Sequence, residues 1–285
     1  MTRVTKSLGA FGVEIEGLDL CGAIGDADLA WLRETIVDEG FVLLRDQPIG
    51  VDAQVALGQR FGPIEQLDSK ATDEEPTMVV IGNVASDGTV LPSDNHHMML
   101  ITINEGWHTD SSFREIPASF SIFSCVVAPE EGGDTFYANQ RVAWETLDPS
   151  LRERLRGLEG VHDYNAAYRR RGNEIGGIVG FDTECLRHPL VRAHPESGRT
   201  SLYVSEHIAS IEGLPESESR ALLNELLAHA TAPARVYRHH WRVGDLAIWD
   251  NRTMLHKAQG FDERYARVMH HVRVAGFEKP IPATF

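Results

Sequence analysis

Between residues 26 and 40 the chain reads DADLAWLRETIVDEG, with Leu29, Leu32, Ile36 and Val37 at helical spacing between an acidic N-cap and a terminating Gly40. An amphipathic helix is predicted there. The run FVLLR (41–45) then reads as a buried strand, and DAQVALGQRFG (52–62) as a second helix. DSKATDEEP (68–76) is polar, carries a proline and reads as a loop, followed by a short strand in TMVVIGNV (77–84). From residue 100 onward the pattern shortens. LITIN (100–104), ASFSIFSCVVA (118–128), DTFYAN (134–139), TSLYVS (200–205), ARVYRHHW (234–241), DLAIWD (245–250) and ARVMHHVRVAG (266–276) read as strands, several alternating apolar with polar between Gly, Pro, Asn or Asp. Helical spacing interrupts them at about 139–157, as two short helices divided by Pro149, and at PESESRALLNELLAHA (215–230), with Pro215 or Ser217 near its start. The fold class is therefore mainly β with flanking helices, built on a β-sandwich or barrel core.

Composition supports a packed soluble fold: hydrophobic residues make up 42% and charged residues 24% of 285. No internal repeat, low-complexity tract or linker is visible, so one domain is expected across residues 1–285. The net charge of −15 argues against nucleic acid and anionic membrane as partners, because both are bound largely through excess Lys and Arg. A small molecule is the favoured partner. Cys21, Cys125 and Cys185 are odd in number, scattered and without C-x-x-C spacing, which points to a reduced, cytoplasmic protein lacking disulfides and thiolate metal sites. Neither a signal-peptide run nor a membrane-length apolar stretch occurs in the sequence.

The candidate chemistry begins at EGWHTDSSF (105–113), where His108 and Asp110 lie two residues apart. On a strand, such residues project to one side, so an imidazole and a carboxylate can meet at one point. One more histidine would complete a 2-His-1-carboxylate face, which leaves three positions of an Fe(II) octahedron open. Spacing alone leaves His256, His270 and His271 in competition for that place, and an isolated H-x-D triplet is more often a surface hydrogen-bonded pair than a metal site. If the adjacent pairs His96-His97, His239-His240 and His270-His271 lie on strands, at most one member of each faces inward.

The surrounding motifs change the weighting. WHTDSSF (107–113), GGDT (132–135), WDNRTMLH (249–256) and RVMHHVRVAG (267–276) occur in this order, and together they resemble the taurine/2,4-dichlorophenoxyacetate (TauD/TfdA) family of Fe(II)- and 2-oxoglutarate-dependent dioxygenases. The resemblance runs over nearly the whole chain, from GVEIEGLDL (12–20) through GFVLLRDQPI (40–49) and RFG (60–62) to the C-terminal strand. It implies a double-stranded β-helix, or jelly roll, with outer helices, and it selects His256 to join His108 and Asp110 as metal ligands. It further implies that Arg267 forms a bidentate pair with the distal carboxylate of 2-oxoglutarate, a geometry lysine does not reproduce, and that Thr135 hydrogen-bonds the same group. The implied reaction uses O2, converts 2-oxoglutarate to succinate and CO2, and oxidises a C–H bond of a small organic substrate. Because a small residue replaces the carboxylate in halogenating relatives, Asp110 points to oxygenation. A dimer or tetramer is the assembly the resemblance suggests.

For the primary substrate the resemblance is less direct. Taurine-like members carry a substrate-gripping arginine four residues after the cosubstrate arginine, and here that position is His271. SDNHHMM (93–99) and HPLVRAHPESGRTSL (188–202) look closer to the phenoxypropionate branch, yet that branch has an arginine before the histidine of YVSEHIASIEGL (203–214), where this chain has Glu206 before His207. A substrate that is neutral, or has a cationic or hydroxyl group near Glu206, is expected. Lys70, Asn104, Ser111, Phe113, His207, His271 and Arg273 complete the candidate substrate contacts, while Met98 and Met99 read as core and Trp249 as packing behind the metal. The rival reading is a zinc barrel that hydrolyses or merely binds, for which the pairing of Arg267 with Thr135 has no use.

Overall fold

The structure is a computed structural model that describes residues 3–66, 77–85, 87–92, 104–170 and 185–285. Lys70, the loop 68–76, SDNHHMM and all of LITIN but Asn104 lie outside the described residues. The N-terminal part contains β1 (Val4–Ser7), β2 (Val13–Glu16), α1 (Asp26–Glu39), β3 (Phe41–Leu44), α2 (Val51–Phe61) and β4 (Val79–Gly82). After these come β5 (Phe120–Val127), β6 (Thr135–Asn139), α3 (Gln140–Glu145), α4 (Pro149–Arg154), β7 (Glu159–His162) and α5 (Tyr164–Arg170). The remainder comprises β8 (Leu186–Pro189), β9 (Val191–Ala193), β10 (Thr200–Leu202), β11 (Ile208–Ile211), α6 (Glu216–Ala230), β12 (Val236–His239), β13 (Leu246–Asp250), β14 (Met254–Ala258), β15 (Val268–Val274) and β16 (Ile281–Pro282).

Four residues of FVLL are buried without interruption because β3 has apolar matter on both faces. Val42 and Leu44 pack with Leu32, Ile36 and Leu57 under α1 and α2, whereas Phe41 and Leu43 join Phe123, Tyr137, Trp249 and Met269 on the opposite side. The same alternation recurs in β13, where Leu246 and Ile248 face the helices and Ala247 and Trp249 the interior. Each fully buried side chain of this size contributes about 1.5–3 kcal/mol by leaving water. These strands belong to a seven-stranded sheet in the order β1-β2-β3-β13-β5-β15-β4, antiparallel except for the parallel β2–β3 pair. Among the described residues there are also three-stranded sheets β12-β6-β14, β11-β7-β8 and β10-β9-β16. The chain is thus mainly β with outer helices.

Local chemistry explains most boundaries, with one correction. The N-cap of α1 is Gly25, which makes no side-chain bond, and the acidic residues Asp26 and Asp28 instead lie in the first turn, where they complement the positive helix end. Asn139 and Asp148 cap α3 and α4 through their side chains, and Pro149 occupies the first turn of α4. Cys21, Cys125 and Cys185 are free thiols, and no helix among the described residues is long and apolar enough to cross a membrane.

Candidate metal centre

His108 and His256 meet through the backbone. His108 donates to the carbonyl of His256 at 3.0 Å and His256 to that of His108 at 2.8 Å, an isolated antiparallel bridge that brings the two rings to 4.1 Å between centroids. Here the strand geometry expected for His108 and Asp110 needs correction. The bridge involves His108 alone, and the chain then turns through Asp110, with Ser111 in the left-handed region at φ 56°. This turn brings the Asp110 carboxylate back to the histidines, its Oδ1 3.8 Å from His256 Nε2. One ligand atom from each of His108, Asp110 and His256 lies within 4.8 Å of the others, and all three residues are buried. No other group of three such residues occurs among the described residues.

His108 and Asp110 are oriented from behind by hydrogen bonds, and His256, whose Nδ1 is buried without a hydrogen-bond partner, by ring packing. Gly106 O lies 2.7 Å from His108 Nδ1, which places the proton there and leaves Nε2 free to ligate. Ser121 Oγ donates to Asp110 Oδ2 at 2.6 Å, so Oδ1 is the free oxygen. Asn251 holds that arrangement: its Nδ2 donates to Ser121 Oγ at 2.8 Å, and its Oδ1 accepts from Trp249 Nε1 at 2.9 Å and Asp110 N at 3.3 Å. The Trp249 ring packs 4.8 Å from His256 and 5.6 Å from His271, behind the ligands as the sequence suggested. Burial opposes ionisation of Asp110, but the imidazoles of His256 and His271 with the Arg273 cation outweigh it and hold the carboxyl well below its usual range. Burial, with His108 nearby, pushes His256 well below the ordinary imidazole value. A carboxylate beside a neutral imidazole is the protonation state a divalent cation requires.

Beyond the ligands, Arg267 is 3% exposed, its Nε has no hydrogen-bond partner, and its Cζ lies 5.8 Å from the Phe261 ring centroid, with no ion pair to it among the described residues. Burial pushes its pKa down to about 10, so it remains a cation at neutral pH. A buried cation without a counter-charge is costly, and an anion would relieve it. Its backbone is clamped by Asn83, whose Oδ1 accepts from Arg267 N at 2.8 Å while Nδ2 donates to the carbonyls of Glu263 and Tyr265. The glycines of GGDT have a steric reason. Gly132 and Gly133 have φ of 75° and 68°, and a Cβ on Gly133 would stand 3.2 Å from Arg267 Cδ and Nε and 2.8 Å from Pro129 Cγ. Thr135 follows at the start of β6, its Oγ1 accepting from Trp241 Nε1 at 2.9 Å.

The candidate substrate contacts divide. His271 Nε2 is 3.6 Å from Asp110 Oδ2, with burial lowering its pKa to about 4. The His207 ring lies 5.5 Å from that of His108, and the buried Phe113 packs edge-on against Tyr164 at 4.7 Å. Ser111 donates to Glu65 Oε2 at 2.7 Å, the same oxygen that Arg273 Nε approaches at 3.0 Å, and Arg114 pairs with Oε1 at 3.4 Å. Glu206 braces the His108 loop: its Oε1 accepts from Trp107 N at 3.0 Å, and its own N–H donates to Trp107 O at 2.8 Å. Asn104 is part-exposed, and its carbonyl accepts from Ala258 N at 2.7 Å. Arg267 lies one residue before β15, which pairs with β4 without a break from Val268 to His271, while the shift against β5 falls at Val126 on that strand. Alternation along β15 is therefore kept, and His271 and Arg273 both lie beside Asp110. The adjacent pairs on strands behave as expected: His271 is buried while His270 is half-exposed, and His239 is buried against Asp245 while His240 is exposed. Glu65, Asn83, Ser121 and Asn251 were not anticipated. Asn251 lies inside WDNRTMLH, but an asparagine there has no distinguishing spacing.

The profile described as "Taurine catabolism dioxygenase TauD, TfdA family" matches residues 3–274. The chain belongs to the TauD/TfdA family. Among its TauD/TfdA relatives, the alpha-ketoglutarate-dependent 2,4-dichlorophenoxyacetate dioxygenase of Cupriavidus pinatubonensis is 35% identical over 88% of this chain and 90% of its own length. The (S)-phenoxypropionate/alpha-ketoglutarate-dioxygenase of Sphingobium herbicidovorans is 35% identical over 93% of this chain and 90% of its own. Of solved structures, AAD-2 in complex with Mn(II) and N-oxalylglycine superposes with a TM-score of 0.92 at 31% identity, covering 99% of this chain and 100% of that one.

Proposed function

We propose that this chain is an Fe(II)- and 2-oxoglutarate-dependent dioxygenase that oxidises a C–H bond of a small organic substrate. The observation that carries the reading is a buried His108, Asp110 and His256 cluster combined with the unpaired, buried cation of Arg267. A zinc hydrolase would need the first but has no use for the second. The seven-stranded sheet, the smaller sheets and the outer helices are read as a jelly roll forming one domain over residues 1–285.

The donor set fits Fe(II): two neutral imidazole nitrogens and one carboxylate oxygen, with positions left over for further ligands. His108 Nε2, Asp110 Oδ1 and His256 Nε2 would hold the ion. Bound Fe(II) supplies the reactivity that couples reduction of O2 to conversion of 2-oxoglutarate into succinate and CO2 and to oxidation of the substrate. The protein's part is positional. Arg267 binds the distal carboxylate of 2-oxoglutarate in two parallel hydrogen bonds, and Thr135 adds a third from its hydroxyl. Ser121 and Asn251 keep Asp110 turned toward the ion. Phe113, His207, His271, Arg273 and Ser111 line the substrate side, with Asn104, Glu206 and Lys70 as further contacts.

Adding Fe(II) and 2-oxoglutarate anaerobically should produce a weak visible charge-transfer band, and admitting oxygen should release succinate. Arg267→Lys should keep metal binding but weaken 2-oxoglutarate at least tenfold, because one point charge replaces a planar fork. A colourless mixture with tight Zn²⁺ binding and no succinate would overturn the reading.

A further inference from the structure

Strand β6 sets Thr135 and Tyr137 two residues apart, and Phe136 between them packs with a separate apolar cluster on the other face. Thr135 and Tyr137 therefore project to the same side, the interior. The ring of Tyr137 is fully buried: it lies 4.4 Å from Phe41, 5.5 Å from Trp249 and stacked at 6.3 Å on the metal-side His256. Those contacts fix the ring without engaging its hydroxyl. Tyr137 Oη is buried beside the Thr135 hydroxyl without meeting it in a well-formed hydrogen bond, and Arg267 Nε is buried with no hydrogen-bond partner. Gly133 abuts the Arg267 side chain, and Thr135, two residues on, shares the Tyr137 face of β6, so the Tyr137 hydroxyl and the Arg267 guanidinium border one space. At neutral pH a phenol is protonated and so can donate.

Native proteins seldom leave buried hydrogen-bonding groups unmatched, and two unmatched donors aimed at one space call for an acceptor that both can reach. We propose that Tyr137 donates its hydroxyl hydrogen to the distal carboxylate of 2-oxoglutarate, as a third donor beside Arg267 and Thr135. This rests on the function proposed above and extends its cosubstrate subsite by one residue. The phenol has a geometric advantage, because a ring pinned by Phe41, Trp249 and His256 loses little freedom when the cosubstrate arrives. It also ties the subsite to the metal, since the same ring stacks on a ligand histidine.

The test is Tyr137→Phe, which keeps the ring and removes only the oxygen. Titrating anaerobic Fe(II)-loaded protein with 2-oxoglutarate and reading the charge-transfer band should give a Kd raised roughly 10- to 100-fold, the range for losing a hydrogen bond to a charged group. The Kd for 2-oxovalerate, a five-carbon 2-oxo acid without the distal carboxylate, should not change between wild type and variant. The variant's metal-free Tm should equal or exceed that of wild type, because the removed hydroxyl had no well-formed hydrogen bond there. A Kd for 2-oxoglutarate within twofold of wild type, with Arg267→Lys still strongly impaired, would overturn the role of Tyr137 and leave the proposed function standing. A lowered Tm in the metal-free variant would also overturn it, by showing that the hydroxyl is already bonded within the protein. Failure of wild type itself to develop the band would instead remove the function.

Discussion

Asn251 makes no contact with substrate or metal in the proposed site, yet its replacement by alanine should disable the centre. Its Oδ1 receives Trp249 Nε1 at 2.9 Å and Asp110 N at 3.3 Å, and its Nδ2 donates to Ser121 Oγ at 2.8 Å. Ser121 in turn donates to Asp110 Oδ2 at 2.6 Å. Asn251→Ala therefore strands two buried N–H donors, at about 1–3 kcal/mol each, for a total loss of about 2–6 kcal/mol. Against a typical domain stability of about 5–15 kcal/mol this is a large fraction. The second effect is on the metal. Without Asn251 the Ser121 hydroxyl is free to rotate, Asp110 loses its fixed orientation, and metal affinity should fall about 10- to 100-fold, as when an outer partner of a ligand is removed. Urea denaturation of the metal-free protein measures the first effect and anaerobic calorimetry with Fe(II) the second. Because Asn251 acts on Asp110 through Ser121, Ser121→Ala and the double variant should show coupling in metal affinity of about 0.5–3 kcal/mol. Unchanged metal affinity in Asn251→Ala, or strict additivity with Ser121→Ala, would refute the reasoning.

Gly133→Ala forces a side chain into the left-handed region at φ 68° and against Pro129 and Arg267, so it should cost about 1–3 kcal/mol in urea stability and raise the 2-oxoglutarate Kd measured by the charge-transfer band. Glu65→Gln leaves Arg273 with Asp110 as its remaining nearby carboxylate and weakens the bond from Ser111. A loss of about 3–5 kcal/mol in unfolding free energy is expected, and a change below about 0.5 kcal/mol would contradict it. His162 is fully buried with neither ring nitrogen bonded, and burial holds its pKa well below the usual value. The unfolded chain then binds a proton that the folded chain refuses, so wild type loses stability as pH falls below about 6.5, by up to about 1.4 kcal/mol per unit from this residue. His162→Phe should remove that loss, and the difference in urea midpoint between the two proteins should widen from pH 8 to pH 5.

What the chain alone determined was the periodicity of its long elements and the kinds of side chain its chemistry needs. Leu29, Leu32, Ile36 and Val37 lead to a helix at Asp26–Glu39 because spacing of 3.6 residues is a property of the segment itself. An unbroken FVLL points to a strand covered on both faces. The strands Val13–Glu16, Val191–Ala193 and Met254–Ala258 were not legible, and exist because a neighbour completes their hydrogen bonds. His108, Asp110, His256, Thr135 and Arg267 stood out because their motifs resemble a family's. Glu65, Asn83, Ser121, Asn251 and the hydroxyl of Tyr137 did not, since common polar residues acquire a role only from what the fold sets opposite them. Tertiary structure alone decided that His108 reaches His256 through a single backbone bridge, that Ser111 turns Asp110 back toward them, and that Arg267 Nε is buried with no hydrogen-bond partner. Periodicity is written in neighbouring residues, whereas desolvation and pairing depend on distant ones, and it is these that turn a set of side chains into a site.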